Sequence, residues 1–363
     1  MLLTLLYIFI GIVIVQLFYY LGIFREFVFS QPAENNPKRI PVSVILYAKN
    51  NAEEVRKIMP LLLNQNYHEF ELVLVNNASF DETLDIFKEY ASMYPNIRIV
   101  DVENNQAFWG SKKYALTLGI KASKHEYLLF IDAENRPSSE TWLMQMSSHF
   151  TLNKTIVLGT SMYEKKKGFF NKIIRYDMIW NQLHSFAWTR TGNPFTVNLK
   201  NIAYKKEEFY KVKGFIDHMQ NPKYENDLFV NQAATGKNTT LCEQSSATLI
   251  VPVLKNYRQF VSLKKEHSQL LNTFKFATRF KIKLFNISQL CFYLMAIVLL
   301  ILQIEWEIVV ALLIFRFLFV WLIASKAVKK FQQPDLALTF PLIEIAQLIT
   351  LINVSLKSVF NSK

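Results

Sequence analysis

At 363 residues, half of them hydrophobic, the chain has room for a soluble domain of roughly 200–250 residues beside several membrane spans. The net charge of +12 suggests an anionic partner, but the basic residues are interleaved with apolar segments and match no nucleic-acid motif, so the expected partner is a bilayer surface and not nucleic acid. Cys242 and Cys291 are far apart, the second in an apolar stretch, and imply neither a disulfide framework nor a metal site, and 9 glycines leave no glycine-rich phosphate loop.

Leu2 to Leu21 carries no charge and matches the ~20 residues that cross a bilayer. The run is too long for a cleaved signal and lacks a basic start and a small-residue cleavage site, so residues 1–24 read as an uncleaved anchor. Residues 25–40 form a polar linker. From Pro41 the pattern alternates. Val42–Tyr47, Phe70–Val75, Ile97–Val102 and Tyr127–Ile131 read as strands; Ala52–Asn64, Asp81–Tyr94 and Ser111–Ala122 read as helices. Such alternation predicts βαβ units and a parallel sheet, in which ligands bind beyond the carboxyl ends of the strands.

The next part is less regular. Thr155–Met162 and Ser246–Pro252 read as strands, while Phe170–Ala187, Glu207–Val212 and Glu225–Thr235 read as helices. The basic-aromatic stretches Lys165–Arg175 and residues 271–286 have the look of interfacial amphipathic helices. Ile287–Leu302 and Ile308–Ala324 make a hairpin of spans around Glu305 and Glu307. A third apolar stretch, Leu336–Val359, contains Pro341 and Glu344 and either spans or lies in the interface. Arg25, Lys38 and Arg39, then Arg279, Lys281 and Lys283, then Lys326, Lys329 and Lys330 fit one side of the membrane. That side is the cytoplasm, which makes this a multi-pass protein of the inner (cell) membrane with its soluble domain inside.

The sequence His125-Glu-Tyr-Leu-Leu-Phe-Ile-Asp-Ala-Glu134 ends a buried strand in two carboxylates. Residues i and i+2 at a strand end face the same way, so Asp132 and Glu134 are placed for one Mg²⁺ or Mn²⁺ ion shared with a diphosphate. A solvated acidic turn is the alternative. Glu225 and Asp227 sit at a helix start, where a carboxylate either serves as a base or favours the macrodipole.

In order, Val42-Ser-Val-Ile-Leu-Tyr-Ala-Lys-Asn50, Asn76-Asn-Ala-Ser-Phe-Asp-Glu-Thr83, Lys112-Lys-Tyr-Ala-Leu-Thr-Leu-Gly119, Asp132-Ala-Glu134, Asn201-Ile-Ala-Tyr-Lys-Lys206 with Val212-Lys-Gly-Phe215, and Tyr224-Glu-Asn-Asp-Leu-Phe229 resemble the family-2 glycosyltransferases of GT-A fold, especially membrane-anchored bacterial members. The resemblance covers roughly residues 40–270 and implies an α/β, Rossmann-like nucleotide-diphospho-sugar transferase domain over 41–270, with transmembrane helices before it and over 287–360. By resemblance, Glu225 takes the base position with Asp227 beside it. Ala48, Asn50, Asn77, Asp81, Lys112 and Asp132 would line the nucleotide-sugar donor, with Asp81 near the uridine or ribose and Lys112 on phosphate. Their alternatives are an N-cap for Asp81 and an exposed helix lysine for Lys112. Asn201, Trp188 and His267 would lie on the acceptor side; packing is the alternative for Trp188 and an amphipathic helix face for His267. The implied activity is inverting transfer to a saccharide or lipid-linked acceptor in cell-surface polysaccharide or glycolipid synthesis, with possible polysaccharide-assembly partners.

The pattern departs from the family at Asn51, Asn76, Asn77, Glu134, Lys200 and Asn226, mostly where acids are usual. An Asn hydrogen-bonds but carries no charge. The alternative function is therefore a catalytically impaired homologue acting as a binding or scaffold subunit.

Overall fold

The computed structural model describes residues 2–32, 40–102, 111–219, 221 and 223–360, with side chains as far as 354. Residues 33–39 of the expected linker, including Lys38 and Arg39, lie outside the described residues. The chain forms two compact units. One is helical and comprises Met1–Ser30, Lys167–Thr191 and Leu254–Lys363; the other is α/β and comprises Gln31–Lys166 and Gly192–Val253. The domain expected over 41–270 is thus interrupted, because two of its helices group with the apolar ones.

In chain order, α1 (Leu2–Leu17) continues through a π-helical stretch, Phe18–Phe24, into α2 (Arg25–Val28). Then come β1 (Val42–Ala48), α3 (Ala52–Leu63), β2 (Phe70–Asn77), α4 (Thr83–Met93), β3 (Ile97–Val102), α5 (Lys112–Ala122) and β4 (Tyr127–Asp132). Next are β5 (Arg136–Pro137), α6 (Trp142–Ser148), β6 (Ile156–Gly159), β7 (Ser161–Tyr163), α7 (Phe169–Arg190), β8 (Ile202–Lys205), α8 (Lys206–Lys211) and α9 (Glu225–Ala233). The chain ends with β9 (Thr239–Cys242), β10 (Leu249–Val251), α10 (Tyr257–Leu271), α11 (Phe276–Ile301), α12 (Trp306–Lys330) and α13 (Phe340–Phe360).

The apolar runs of β1, β2 and β4 are buried on both faces, as parallel strands require. They belong to a seven-stranded sheet of order β3-β2-β1-β4-β8-β6-β9. Strands β3, β2, β1 and β4 are parallel, and β8 runs antiparallel between β4 and β6. The chain order reverses at β1, between β2 and β4, which opens a crevice at their carboxyl ends. On one face α3 buries Val55, Ile58, Met59 and Leu62 against Val44, Leu46, Leu72 and Leu74. Helix α5 presses on the sheet through Gly119, where a Cβ would come within 2.7 Å of the Val75 side chain. That close approach seats the start of α5 beside the ends of β1 and β4.

Two expectations change here. The strand expected over Thr155–Met162 breaks at Thr160, so that β6 joins the large sheet and β7 joins a three-stranded sheet of order β5-β10-β7. Strands β8 and β9, of 4 residues each, were not anticipated, because runs so short carry no readable periodicity.

In the helical unit, Leu3–Val28, Phe276–Ile301 and Trp306–Lys330 are long and apolar enough to cross a membrane, and Phe340–Val354 is a shorter apolar helix. The separate interfacial segment expected over 271–286 is instead mostly the first half of α11. Leu6, Phe9 and Val13 of α1 pack against Phe292, Ala296 and Leu299 of α11 and Val309 of α12. Arg316 of α12 is buried and bonds Glu344 of α13 at 2.7 Å, Gln16 at 3.3 Å and the Tyr293 hydroxyl at 3.1 Å. A buried charge left alone is far worse than a buried pair. Arg316→Leu or Glu344→Gln should each destabilise the unit by about 3–5 kcal/mol, and the Arg316→Leu/Glu344→Leu double variant should recover most of the loss. Thermal unfolding of the detergent-solubilised protein measures this; a loss in the double variant equal to the sum of the two single losses would mean the pair does not act as a pair.

Candidate active site

The crevice gathers charges that are distant in sequence. Ser111 caps α5 by accepting a hydrogen bond from the Tyr114 amide at 3.3 Å, which places Lys112 in the first turn. Asp132 closes β4 opposite Tyr47 of β1. Glu225 opens α9, directly after Tyr224, whose φ of 64° is a strained value for a bulky residue. The ammonium of Lys112 lies 2.6 Å from a carboxylate oxygen of Asp132 and 2.6 Å from one of Glu225. It also sits 5.0 Å from the centre of the Tyr47 ring. The Tyr47 hydroxyl accepts a hydrogen bond from Asn77 at 2.9 Å.

The electrostatics follow from burial against pairing. Burial pulls the Lys112 ammonium down, but Asp132 and Glu225 outweigh it and hold its pKa well above the ordinary lysine value. Burial pushes Glu225 up, and the adjacent Lys112 more than reverses this, so its carboxyl stays below the usual range. Glu225 is therefore an ionised carboxylate in a largely buried place, which is what a proton acceptor needs.

Asp227 is different. Its carboxylate accepts the Asn198 amide at 3.1 Å and the Leu199 amide at 3.0 Å, and burial pushes its pKa up to about 6. It pins the 198–199 backbone, and its bonds point it away from a role in proton transfer. The neighbour of Lys112, Lys113, is almost fully buried and donates to the carbonyls of Asn221 and Lys223. It ties α5 to the segment that leads into Glu225. Burial lowers its pKa to about 8.

The expected partnership of Asp132 with Glu134 does not form. Strand β4 ends at Asp132, and the Asn135 amide bonds back to the Asp132 carbonyl at 2.9 Å. Glu134 therefore lies in a turn, where the two-residue strand period no longer holds. It lines a different cavity from Asp132. Among the described residues no group of three His, Cys, Asp or Glu could hold a metal ion. Asp132 alone fits a Mg²⁺ or Mn²⁺ ion that takes most of its ligands from a diphosphate.

Other expected residues take structural posts. Asp81 accepts the Ala52 amide at 3.0 Å and the Thr83 amide at 3.1 Å, so it caps two helix starts. Asn50, at φ 52°, accepts the Phe80 amide at 2.8 Å and stitches the loop after β1 to the loop after β2. Ala48 is fully buried at the end of β1. Asn201, expected on the acceptor side, has its amide bonded within the fold. Its amide is buried, accepts from the Trp142 indole at 3.2 Å, and donates to the carbonyls of Thr160 and Ala247 at 2.9 and 2.7 Å. Trp188 and His267 belong to the helical unit. There Trp188 packs against Tyr19 and Lys281, and His267 is buried on α10. Sequence reasoning missed the roles of Tyr47 and Lys113, and met Lys200, which lines the same crevice, only as a departure from the family. Tyr47 is legible only as the residue before the strand end, and Lys113 looks like an exposed helix lysine.

Residues 43–219, just under half of the chain, match the sequence model described as Glycosyl transferase family 2. Over that range the chain resembles the family-2 glycosyltransferases. An uncharacterized glycosyltransferase, YibD, of Escherichia coli is 29% identical over 115 residues, which is 31% of this chain and 31% of that one. A poly-beta-1,6-N-acetyl-D-glucosamine synthase of Staphylococcus epidermidis is 31% identical over 93 residues, 26% of this chain and 21% of that one. The aligned parts thus span a third or less of these curated relatives. A mannosyltransferase of Pyrobaculum calidifontis, solved in complex with GDP-Man and Mn²⁺, superposes with a TM-score of 0.57 at 16% identity, covering 96% of this chain and 97% of that one. The glycosyltransferase domain therefore has the GT-A fold, accompanied by long apolar helices.

Two outcomes test these assignments. Lys112→Met leaves Glu225 buried without its cation, so the acid limb of kcat/KM for sugar transfer should move to higher pH; an unmoved limb would detach Lys112 from the base. Asn201→Ala orphans the Trp142 indole and two carbonyls, at about 1–3 kcal/mol for each unsatisfied group. Its melting temperature should fall while nucleotide-sugar affinity stays that of the parent protein. Weakened donor affinity at full stability would return Asn201 to the binding site.

Proposed function

We propose that this protein is a membrane-bound, inverting glycosyltransferase. It moves a sugar from a nucleoside-diphosphate donor to a saccharide or lipid-linked acceptor in the synthesis of a cell-surface polysaccharide or glycolipid. The observation that carries the reading is the single ammonium of Lys112 bridging Asp132 and Glu225 at 2.6 Å each. Transfer requires positive charge at a departing diphosphate and a carboxylate base at the attacking hydroxyl. Here both needs are met within one crevice at the strand ends.

In this reading the acceptor hydroxyl gives its proton to Glu225 while its oxygen bonds the anomeric carbon. The bond from that carbon to the diphosphate oxygen breaks on the opposite face, which inverts the configuration. Lys112 turns from Glu225 toward the diphosphate as charge builds on the leaving group, and this frees the base. A Mg²⁺ or Mn²⁺ ion held by Asp132 and the diphosphate would supply further charge neutralisation. Ala48, Asn50, Asn77 and Asp81 would shape the nucleotide side, mainly through the backbone that their bonds hold. The apolar helices, with Arg279, Lys281, Lys283, Lys326, Lys329 and Lys330 near their ends, support a place in the cell membrane with the domain in the cytoplasm.

The test is transfer by full-length protein in detergent, using a panel of UDP- and GDP-sugars with Mg²⁺ and Mn²⁺. Glu225→Gln should lower kcat by about 10²–10⁴-fold, the range for loss of a general base, and Asp132→Asn should also reduce turnover strongly. Full turnover in both folded variants would sink the assignment.

A further inference from the structure

A second lysine lines the crevice. Lys200 is part of its wall together with Lys112, Asp132, Glu225 and Asn226. It lies two residues before Ile202 of β8, which pairs antiparallel with Phe130, so the chain arrives beside the end of β4. The loop that carries it is closely built. Asn198 stands at φ 61°, uncommon for any residue other than glycine. Asp227, 1% exposed, commits both carboxylate oxygens to the Asn198 and Leu199 amides. The Asn226 side chain donates to the Leu199 carbonyl at 3.2 Å. The two residues after Glu225 thus grip the two residues before Lys200, and the lysine is held in a fixed relation to the base.

The two ammonium groups of the crevice differ in what they hold. Lys112 is shared by Asp132 and Glu225 at 2.6 Å each. Among the described residues Lys200, half-buried, makes no hydrogen bond and no ion-pair contact. Its charge is nevertheless felt at the base: burial raises the Glu225 pKa, Lys112 lowers it most, and Lys200 adds to the lowering. While the crevice is open, water solvates this ammonium. An acceptor seated with its hydroxyl at Glu225 displaces that water, and a neutral acceptor would leave the ammonium desolvated and unpaired. A phosphate or carboxylate on the acceptor replaces the lost water with charge-assisted hydrogen bonds. The donor's diphosphate does not take this place, because an inverting transfer sends it away from the face on which Glu225 works.

We propose that Lys200 is a specificity-determining residue that selects an acceptor carrying a phosphate or carboxylate close to the hydroxyl that reacts. The inference rests on the glycosyltransferase reading of the crevice and narrows its acceptor class. An acidic saccharide and a lipid phosphate both supply such a group, and the test separates them. Full-length protein in detergent, with UDP or GDP and Mg²⁺ present to fill the donor side, would be titrated with two sets of probes. One set is glucose 6-phosphate and glucuronic acid against glucose; the other is farnesyl phosphate against farnesol. At least one anionic probe should bind about tenfold tighter than its neutral counterpart, the worth of one hydrogen bond to a charged group. Lys200→Met, which keeps most of the stem, should abolish that preference, and Lys200→Arg should keep it. The UDP and GDP affinities of both variants should match the parent protein. A preference confined to the sugars assigns an acidic saccharide, and one confined to the farnesyl pair assigns a lipid phosphate. No preference for any anionic probe, or one that survives Lys200→Met, overturns the proposal. A parallel loss of UDP or GDP affinity in Lys200→Met would place the residue on the diphosphate and overturn the acceptor assignment. A preference lost in Lys200→Met by a protein that takes up neither UDP nor GDP keeps the anion site and overturns the glycosyltransferase reading.

Discussion

One ammonium between two carboxylates organises the candidate site. Without Lys112, Asp132 and Glu225 would be two negative charges repelling each other at the end of a buried sheet, and desolvation would favour the neutral form of Glu225. With Lys112 in place, Glu225 stays ionised and the two carboxylates are held by one ammonium. Much of the surrounding structure serves that contact. Gly119 lets α5 approach the sheet, Ser111 caps its first turn, and Lys113 ties it to the segment before α9. Tyr224 holds the left-handed geometry from which Glu225 enters its helix, and Asp227, one turn position on, anchors the 198–199 backbone. A base so positioned is available only when something competes for Lys112, and a diphosphate is the natural competitor.

The parallel half of the sheet was legible because buried parallel strands leave continuous apolar runs, and helices such as α3 repeat their apolar residues at helical spacing. Asp132 and Glu225 were legible too, as acids at element ends in a recognisable order. What the sequence hid was pairing. Nothing along the chain says that Lys112 meets both acids, or that Asn201 spends its whole amide on Trp142, Thr160 and Ala247. Those bonds join residues tens of positions apart, and only the tertiary fold chooses among the possible partners. The interruption of the α/β domain by α7 was hidden for the same reason. An aromatic amphipathic helix carries no mark of which unit it will join.

The Asp132-Ala-Glu134 turn shows how one residue of strand length changes chemistry. Had β4 run on to Glu134, both carboxylates would share a face and a cation. Because the strand stops at Asp132, the turn divides them between two cavities of different character. One is charged and paired and suits a diphosphate. The replacement of the usual second Asp by Glu at position 134 is then compatible with an active enzyme, since the diphosphate side relies on Asp132 and Lys112.

The central claim is that Glu225 acts as base on the face opposite a departing diphosphate. The anomeric configuration of the first transfer product tests it most directly. Proton NMR coupling at the anomeric centre, read before any mutarotation or further transfer, should give the configuration opposite to that of the donor sugar. A product that keeps the donor's configuration would contradict the assignment of Glu225 and the mechanism built on it.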